Sequence, residues 1–217
     1  MVVVPDTVEI EIGPQRLKAL LGVPAGAEGL VIFAHGSGSG RLSPRNNRVA
    51  AALHDIGLAT LLLDLLTSEE ERDRANVFDI ALLASRLSLA TDWCVETPET
   101  AQLAIGYFGA STGAGAALVA AASPHSPVAA VVSRGGRPDL ADDALPRVVA
   151  PTLLIVGSLD TQVIELNRMA YSRLKAPKEL VIVEGAGHLF EEPGTLDEVQ
   201  HHAMGWFLYH LAGNGGA

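Results

Sequence analysis

From about residue 30 onward, short apolar runs alternate with longer stretches of helical periodicity, the pattern of repeated strand–helix–strand units around a parallel sheet. Leu30–Ala34 is continuously apolar and runs into the Gly-rich segment His35–Gly40. A helix is expected near Asn46–Ile56, then a second buried strand at Ala59–Leu66. Apolar residues at mixed three- and four-residue intervals (Val77, Ile80, Leu83, Leu87) predict one long amphipathic helix over Asn76–Val95, ending before Pro98. Ile105–Ala110 is the next strand, and Ser111–Ala122, crowded with Ala and Gly, reads as a helix able to approach the sheet closely. Val128–Ser133, Thr152–Gly157 and Glu179–Glu184 complete the strands; Ile164–Leu174 and Leu196–Leu211 complete the helices. Before this series, Val8–Ile12 and Arg16–Val23 alternate apolar and polar residues around Gly13-Pro14, which predicts an antiparallel hairpin at the sheet's edge.

The class is therefore α/β in a single domain over residues 1–217, a length suited to one large α/β unit. The longest interruption, Arg134–Ala150, leaves no room for a large cap domain, and only the tail after Gly213 reads as loose.

Composition narrows the function. A net charge of −10, with no Lys/Arg cluster, argues against nucleic acid. No apolar run approaches the roughly 20 residues of a membrane helix, and the N-terminus lacks the features of a signal peptide, so a cytoplasmic location is expected. The lone Cys94, inside an apolar stretch, reads as a small buried hydrophobe and excludes an internal disulfide or multi-cysteine metal site. Mean hydropathy of +0.28 allows a homodimer contact without indicating one.

The strongest chemical signal is Gly109-Ala110-Ser111-Thr112-Gly113, a G-x-S-x-G pattern set between a strand and a helix. Glycines on either side permit a sharp turn that presents the Ser111 hydroxyl at a helix N-terminus. The plainer reading is a strand-to-helix turn with a capping serine. A serine nucleophile needs a base. Of seven histidines, His188 alone follows a strand through a Gly-rich loop (Gly185-Ala186-Gly187) at the carboxyl end of the sheet. His54 falls in a helix, His125 in a Pro-rich turn, and His201, His202 and His210 in the C-terminal helix. A carboxylate ending a strand would orient the base. Asp160 does so, and gives the chain order Ser, Asp, His. Asp64 competes, although it precedes the serine, and Asp160 could instead cap the helix beginning near Val163.

Oxyanion donors are expected from the backbone N–H groups of Thr112 and Ser37, the latter in the Gly36–Gly40 loop, with Gly36 against the substrate. That loop lacks the Lys-Ser/Thr of a phosphate-binding P-loop, and His35 is expected to brace the turn. Arg134 and Arg137 follow a strand and are placed at the rim, where either could meet a substrate carboxylate or form an ordinary ion pair. Asp197 and His201, spaced i and i+4, make a metal-like pair, but no metal is expected.

Taken in order, FAHGSGSG, GYFGASTGAG, VVSRGGRPD, LLIVGSLD and GAGHLFEEPG span nearly the whole chain. In these the sequence resembles the dienelactone hydrolase-like branch of the α/β hydrolases. The resemblance implies an α/β-hydrolase fold with a mostly parallel central sheet of about eight strands flanked by helices. It also implies an uncapped site, no cofactor, and hydrolysis of small esters or lactones. Related sequences are similar to domains fused to phosphoribosyltransferase modules; no such module is read in these residues. Dienelactone hydrolases proper place cysteine at the elbow, whereas Ser111 stands there and Cys94 lies outside the motif, which favours ordinary carboxylic esters. A thioesterase or amidase with the same residues, and a non-catalytic ligand-binding module of the same fold, remain as alternative readings.

Overall fold

Strands with no polar face must be covered on both sides, and five of the eight here meet that requirement almost throughout. The computed structural model describes residues 7–212; the loose tail expected after Gly213 and the first six residues lie outside them. β1 (Val8–Ile12) and β2 (Leu17–Gly22) form the expected edge hairpin, and β2 runs antiparallel to β4 (Leu58–Leu63). From there β3 (Gly29–Ala34), β5 (Ala104–Ala110), β6 (Val128–Arg134), β7 (Thr152–Gly157) and β8 (Lys178–Val183) pair in parallel, in the order β1-β2-β4-β3-β5-β6-β7-β8. β3, β4 and β7 are buried at every residue, as strands covered on both faces must be. This is an α/β-hydrolase fold without a cap domain among the described residues.

Two layers of helices close the core. α1 (Pro44–Asp55) and α6 (Thr195–Leu211) cover one face, where Phe33 and Phe108 meet with ring centroids 5.0 Å apart and Phe207 is fully buried. α3 (Ile80–Glu96), α4 (Thr112–Ala121) and α5 (Thr161–Arg173) cover the other. Each large apolar side chain buried in these layers contributes about 1.5–3 kcal/mol. α4 lies so close to β3 that a Cβ at Gly113 would sit 2.2 Å from the Ala34 carbonyl oxygen. Glycine is thus required there despite its helical penalty.

One expectation is corrected. The long helix over Asn76–Val95 is two helices, α2 (Arg74–Phe78) and α3. Between them Asp79 leaves helical geometry (φ −77°, ψ 89°) and its side chain accepts the Leu82 N–H, capping α3. The apolar spacing continues across the break because both helices face the same core. Within Arg134–Ala150, Pro138–Arg147 forms 3₁₀ turns, kinked at Asp142. Cys94 is buried as expected, and burial pushes its thiol up to about 12. No helix among the described residues is long and apolar enough to cross a membrane.

Candidate active site

The carboxyl ends of β3, β5, β6, β7 and β8 deliver residues 35–40, Ser111, Arg134, Asp160 and the 185–188 loop to one edge of the sheet. Chemistry concentrates at such an edge because strand ends and helix N-termini converge there.

Ser111 occupies the turn between β5 and α4 with φ 50° and ψ −123°, a conformation that costs a non-glycine residue about 1–3 kcal/mol. The strain is held by the backbone: Ser111 N–H donates to the Arg134 carbonyl at 3.4 Å, and its own carbonyl accepts from Arg137 N–H at 3.0 Å and Ala114 N–H at 3.1 Å. Its side chain makes no capping bond, so the hydroxyl is not consumed by the helix terminus. Thr112 follows as the first residue of α4, where its N–H has no intrahelical partner.

Asp160 occupies the N-cap position of α5, yet its carboxylate caps nothing. It accepts instead from His188 Nδ1 at 2.6 Å, which disposes of the capping reading. With Nδ1–H committed to Asp160, the neutral ring leaves Nε2 as the acceptor nitrogen. The His188 loop has its own brace, since Glu192 accepts the Gly187 N–H at 3.1 Å, and that bond holds the Glu192 carboxyl below its usual value. Asp64 is occupied elsewhere by the Arg41 guanidinium and N–H.

Ser111 and His188 converge on the same segment, Arg134-Gly135. A Cβ at Gly135 would lie 2.9 Å from the His188 carbonyl oxygen and 3.8 Å from Nδ1, while Ser111 N–H bonds the preceding carbonyl. No hydrogen bond joins Ser111 Oγ to His188 among the described residues. Hydrogen bonds of this kind are often long before substrate binds.

Gly36 abuts the serine: a Cβ there would approach Ser111 Cβ to 2.9 Å and the Ala110 carbonyl oxygen to 3.1 Å. Ser37 beside it is exposed. His35 braces this loop. Leu65 N–H donates to its Nε2 at 3.0 Å, so Nδ1 carries the proton and donates to the Gly36 carbonyl at 2.9 Å. Gly36, Ser37, Leu66, Val77, Leu83 and Thr112 line a narrow concavity of about 10 Å³, room for roughly one water. A far larger concavity, about 560 Å³ between β8 and α6, includes none of the elbow residues.

The two arginines differ: Arg137 forms the ordinary ion pair that is the alternative expected of it, and only Arg134 departs from the rim. Arg137 is held in a two-pronged ion pair with Asp139, both contacts 2.8 Å. Arg134 is only 7% exposed, lying under the Phe190 ring rather than at the mouth. Asp197 pairs with Arg48, and among the described residues no group of three His, Cys, Asp or Glu side chains is placed to hold a metal. The Glu192–Gly187 brace had no sequence signal beyond the five-residue spacing, and the Asn46 contact to Arg134 had none.

No protein-family model matches the chain. Two Mycobacterium tuberculosis proteins named Putative phosphoribosyl transferase are 59% identical over 210 residues; the match takes in 97% of this chain but 47% of theirs, so the chain spans about half the length of these curated relatives. The crystal structure of a dienelactone hydrolase from Anabaena variabilis is 57% identical, covers 94% of this chain and 97% of its own, and superimposes with a TM-score of 0.90. Est1E from Butyrivibrio proteoclasticus, at 17% identity and a TM-score of 0.79, shares the fold. Near-complete mutual coverage at more than half identity, on the architecture described above, shows that this chain belongs to the dienelactone hydrolase family of α/β hydrolases.

Proposed function

We propose that the protein hydrolyses small carboxylic esters or lactones through Ser111 as nucleophile, His188 as general base and Asp160 as the carboxylate that orients the base. The observation that carries this reading is the 2.6 Å bond from His188 Nδ1 to a carboxylate that sits at a helix N-cap without capping it. In the first half-reaction Ser111 Oγ attacks the acyl carbon, its proton passes to His188 Nε2, and collapse of the tetrahedral intermediate returns that proton to the departing alcohol. Water, deprotonated by His188, then attacks the acyl-enzyme; as the acyl–Oγ bond breaks, His188 returns the proton to Ser111 Oγ and the acid is released. Charge on the carbonyl oxygen is met by the N–H groups of Thr112 and Ser37, with Gly36 leaving room for the substrate. Asp160 stays ionised throughout and stabilises the imidazolium. The reaction uses no cofactor, its substrate is a small neutral or anionic ester, and the enzyme works in the cytoplasm.

Phosphoribosyl transfer, the activity in the names of the M. tuberculosis relatives, has no support in the residues gathered here, and those relatives extend well beyond the matched region. A panel of p-nitrophenyl acetate and butyrate, the matching thioesters and an anilide tests the reading on wild type and Ser111→Ala. Ester turnover lost by several orders of magnitude in the variant is expected. Near-normal turnover in Ser111→Ala, or anilide cleaved faster than ester, would overturn it.

A further inference from the structure

A buried amide side chain is free of cost only where its N–H groups and its oxygen all find partners. Asn167, fully buried in α5, is paired on one side alone. Its Nδ2 donates to the Val163 carbonyl, one turn back in the same helix, at 2.8 Å, and out of the helix to the Gly136 carbonyl at 3.0 Å. Its Oδ1 is buried with no partner among the described residues. Two carbonyls demand two donors, so the amide cannot turn over to relieve that oxygen. For stability alone, the bonds made and the acceptor left bare roughly offset each other, and a leucine of nearly the same size would fill the space without an orphaned atom. What the amide supplies and leucine cannot is the tie to Gly136.

Gly136 is in the middle of the turn after β6, and the nucleophile and the base both lean on that turn. On one side Gly135 packs against the base, where a Cβ would meet the His188 carbonyl oxygen at 2.9 Å. On the other, Arg137 N–H holds the Ser111 carbonyl at 3.0 Å, and the Arg134 carbonyl accepts the Ser111 N–H at 3.4 Å. Gly136 itself is wedged between them: a Cβ would lie 2.0 Å from Ser133 Oγ and 2.6 Å from the Cβ of Ala114, in the helix behind the nucleophile. Asn167 grips this turn from α5, whose N-cap is Asp160, about two helical turns earlier on the same face. Ser111 keeps its strained backbone only while such surroundings over-determine it.

We propose that Asn167 is a positioning residue: its bond to the Gly136 carbonyl fixes the turn over residues 134–137, and with it the approach of Ser111 to His188, against the helix that begins at Asp160. The inference rests on the hydrolase reading. Asn167 touches no substrate; it acts through Gly136, tying together the three elements that bear nucleophile, base and acid. Releasing the tie lets the turn shift, and a displacement of about 1 Å at the reacting atoms costs on the order of 10²-fold in rate. Groups that bind the ester without reacting stay where they are, so KM is spared.

The experiment compares wild type with Asn167→Leu, Asn167→Ala and, as a control, Thr91→Val, which removes a buried hydroxyl bonded to Leu87 and Tyr107 and to no residue of the site. Each is read by melting, by kcat and KM for p-nitrophenyl acetate, and by the rate of fluorophosphonate labelling at Ser111, well below the melting transition. Asn167→Leu is expected to lower kcat and the labelling rate together by about 10- to 100-fold, with KM within about threefold of wild type. Thr91→Val should melt lower yet keep both rates. If Asn167→Leu does not fold, Asn167→Ala, which leaves room and favours the helix, is read in the same way. A folded Asn167 variant with wild-type kcat overturns the proposal, as does a loss that lies chiefly in KM or that Thr91→Val reproduces. A wild type that turns over no ester and takes no label at Ser111 ends the hydrolase reading and this inference with it. An active wild type beside unaffected Asn167 variants ends this inference alone.

Discussion

Replacing Asp160 with Asn changes one atom's chemistry in a bond 2.6 Å long, between an acid side chain 16% exposed and a histidine 40% exposed. Removing the charge from such a bond costs about 1.5–3 kcal/mol, or roughly 10- to 150-fold in rate at about 1.4 kcal/mol per decade. A second penalty comes from the proton. If the amide presents its NH₂ group to Nδ1, the neutral imidazole must carry its hydrogen on Nε2, and the base has no lone pair for Ser111. In serine proteases the equivalent carboxylate-to-amide change lowers turnover about 10⁴-fold through this wrong tautomer. Asp160→Asn is therefore expected to lower kcat for p-nitrophenyl acetate by about 10²- to 10⁴-fold. KM should change little, because the carboxylate faces the histidine rather than the substrate. Melting should shift only slightly, since Asp160 caps no helix N–H. Steady-state kinetics near pH 8, with a melting curve on the same sample, give the answer. Activity within about threefold of wild type would show that His188 does not depend on Asp160, and the orienting role would be lost.

Other outcomes follow from single contacts. Gly36→Ala pushes a methyl to 2.9 Å from Ser111 Cβ and 3.1 Å from the Ala110 carbonyl oxygen; overpacking of about 1–3 kcal/mol should reduce kcat by about 10- to 100-fold, and unchanged kcat would contradict the close approach. Cys94, fully buried with its thiol pushed up to about 12, should resist iodoacetamide in the native protein and react fully in denaturant, as followed by mass spectrometry. Glu192 is held below the ordinary value of a glutamate carboxyl, first by the Gly187 N–H. Its stabilising contribution is present above that ordinary value and is lost as pH falls through the lower folded one. The drop in melting temperature on acidification from about pH 5 to pH 3 should accordingly be smaller in Glu192→Gln than in wild type; an equal drop would remove the brace.

Strand positions and the elbow could be read from sequence because both depend on local, one-dimensional signals. Buried parallel strands are unbroken apolar runs, and Gly109, Ser111 and Gly113 stand at fixed offsets between such a run and a helix. Asp160 and His188 were visible for the same reason: each follows a strand at the end of the sheet where the chain order requires it. The break at Asp79 was not visible, because apolar spacing reports which face is buried and is blind to a one-residue interruption that keeps the same face inward. Nor could spacing place Arg134. Its position after β6 was clear, but whether it lies at the rim or beneath Phe190 depends on a side-chain direction set by α1 and the His188 loop, which are 88 residues away at Asn46 and far along the chain at Phe190. The tautomer of His35 likewise needs Leu65 N–H, a partner 30 residues distant.

The most direct test of the central claim is covalent labelling with a fluorophosphonate, the adduct located by mass spectrometry and esterase activity followed in parallel. Ser111, activated by His188, should carry a single adduct, formed in step with the loss of p-nitrophenyl acetate hydrolysis and absent from Ser111→Ala. A folded sample that hydrolyses the ester but takes no label at Ser111, or takes it on another residue, would contradict the account.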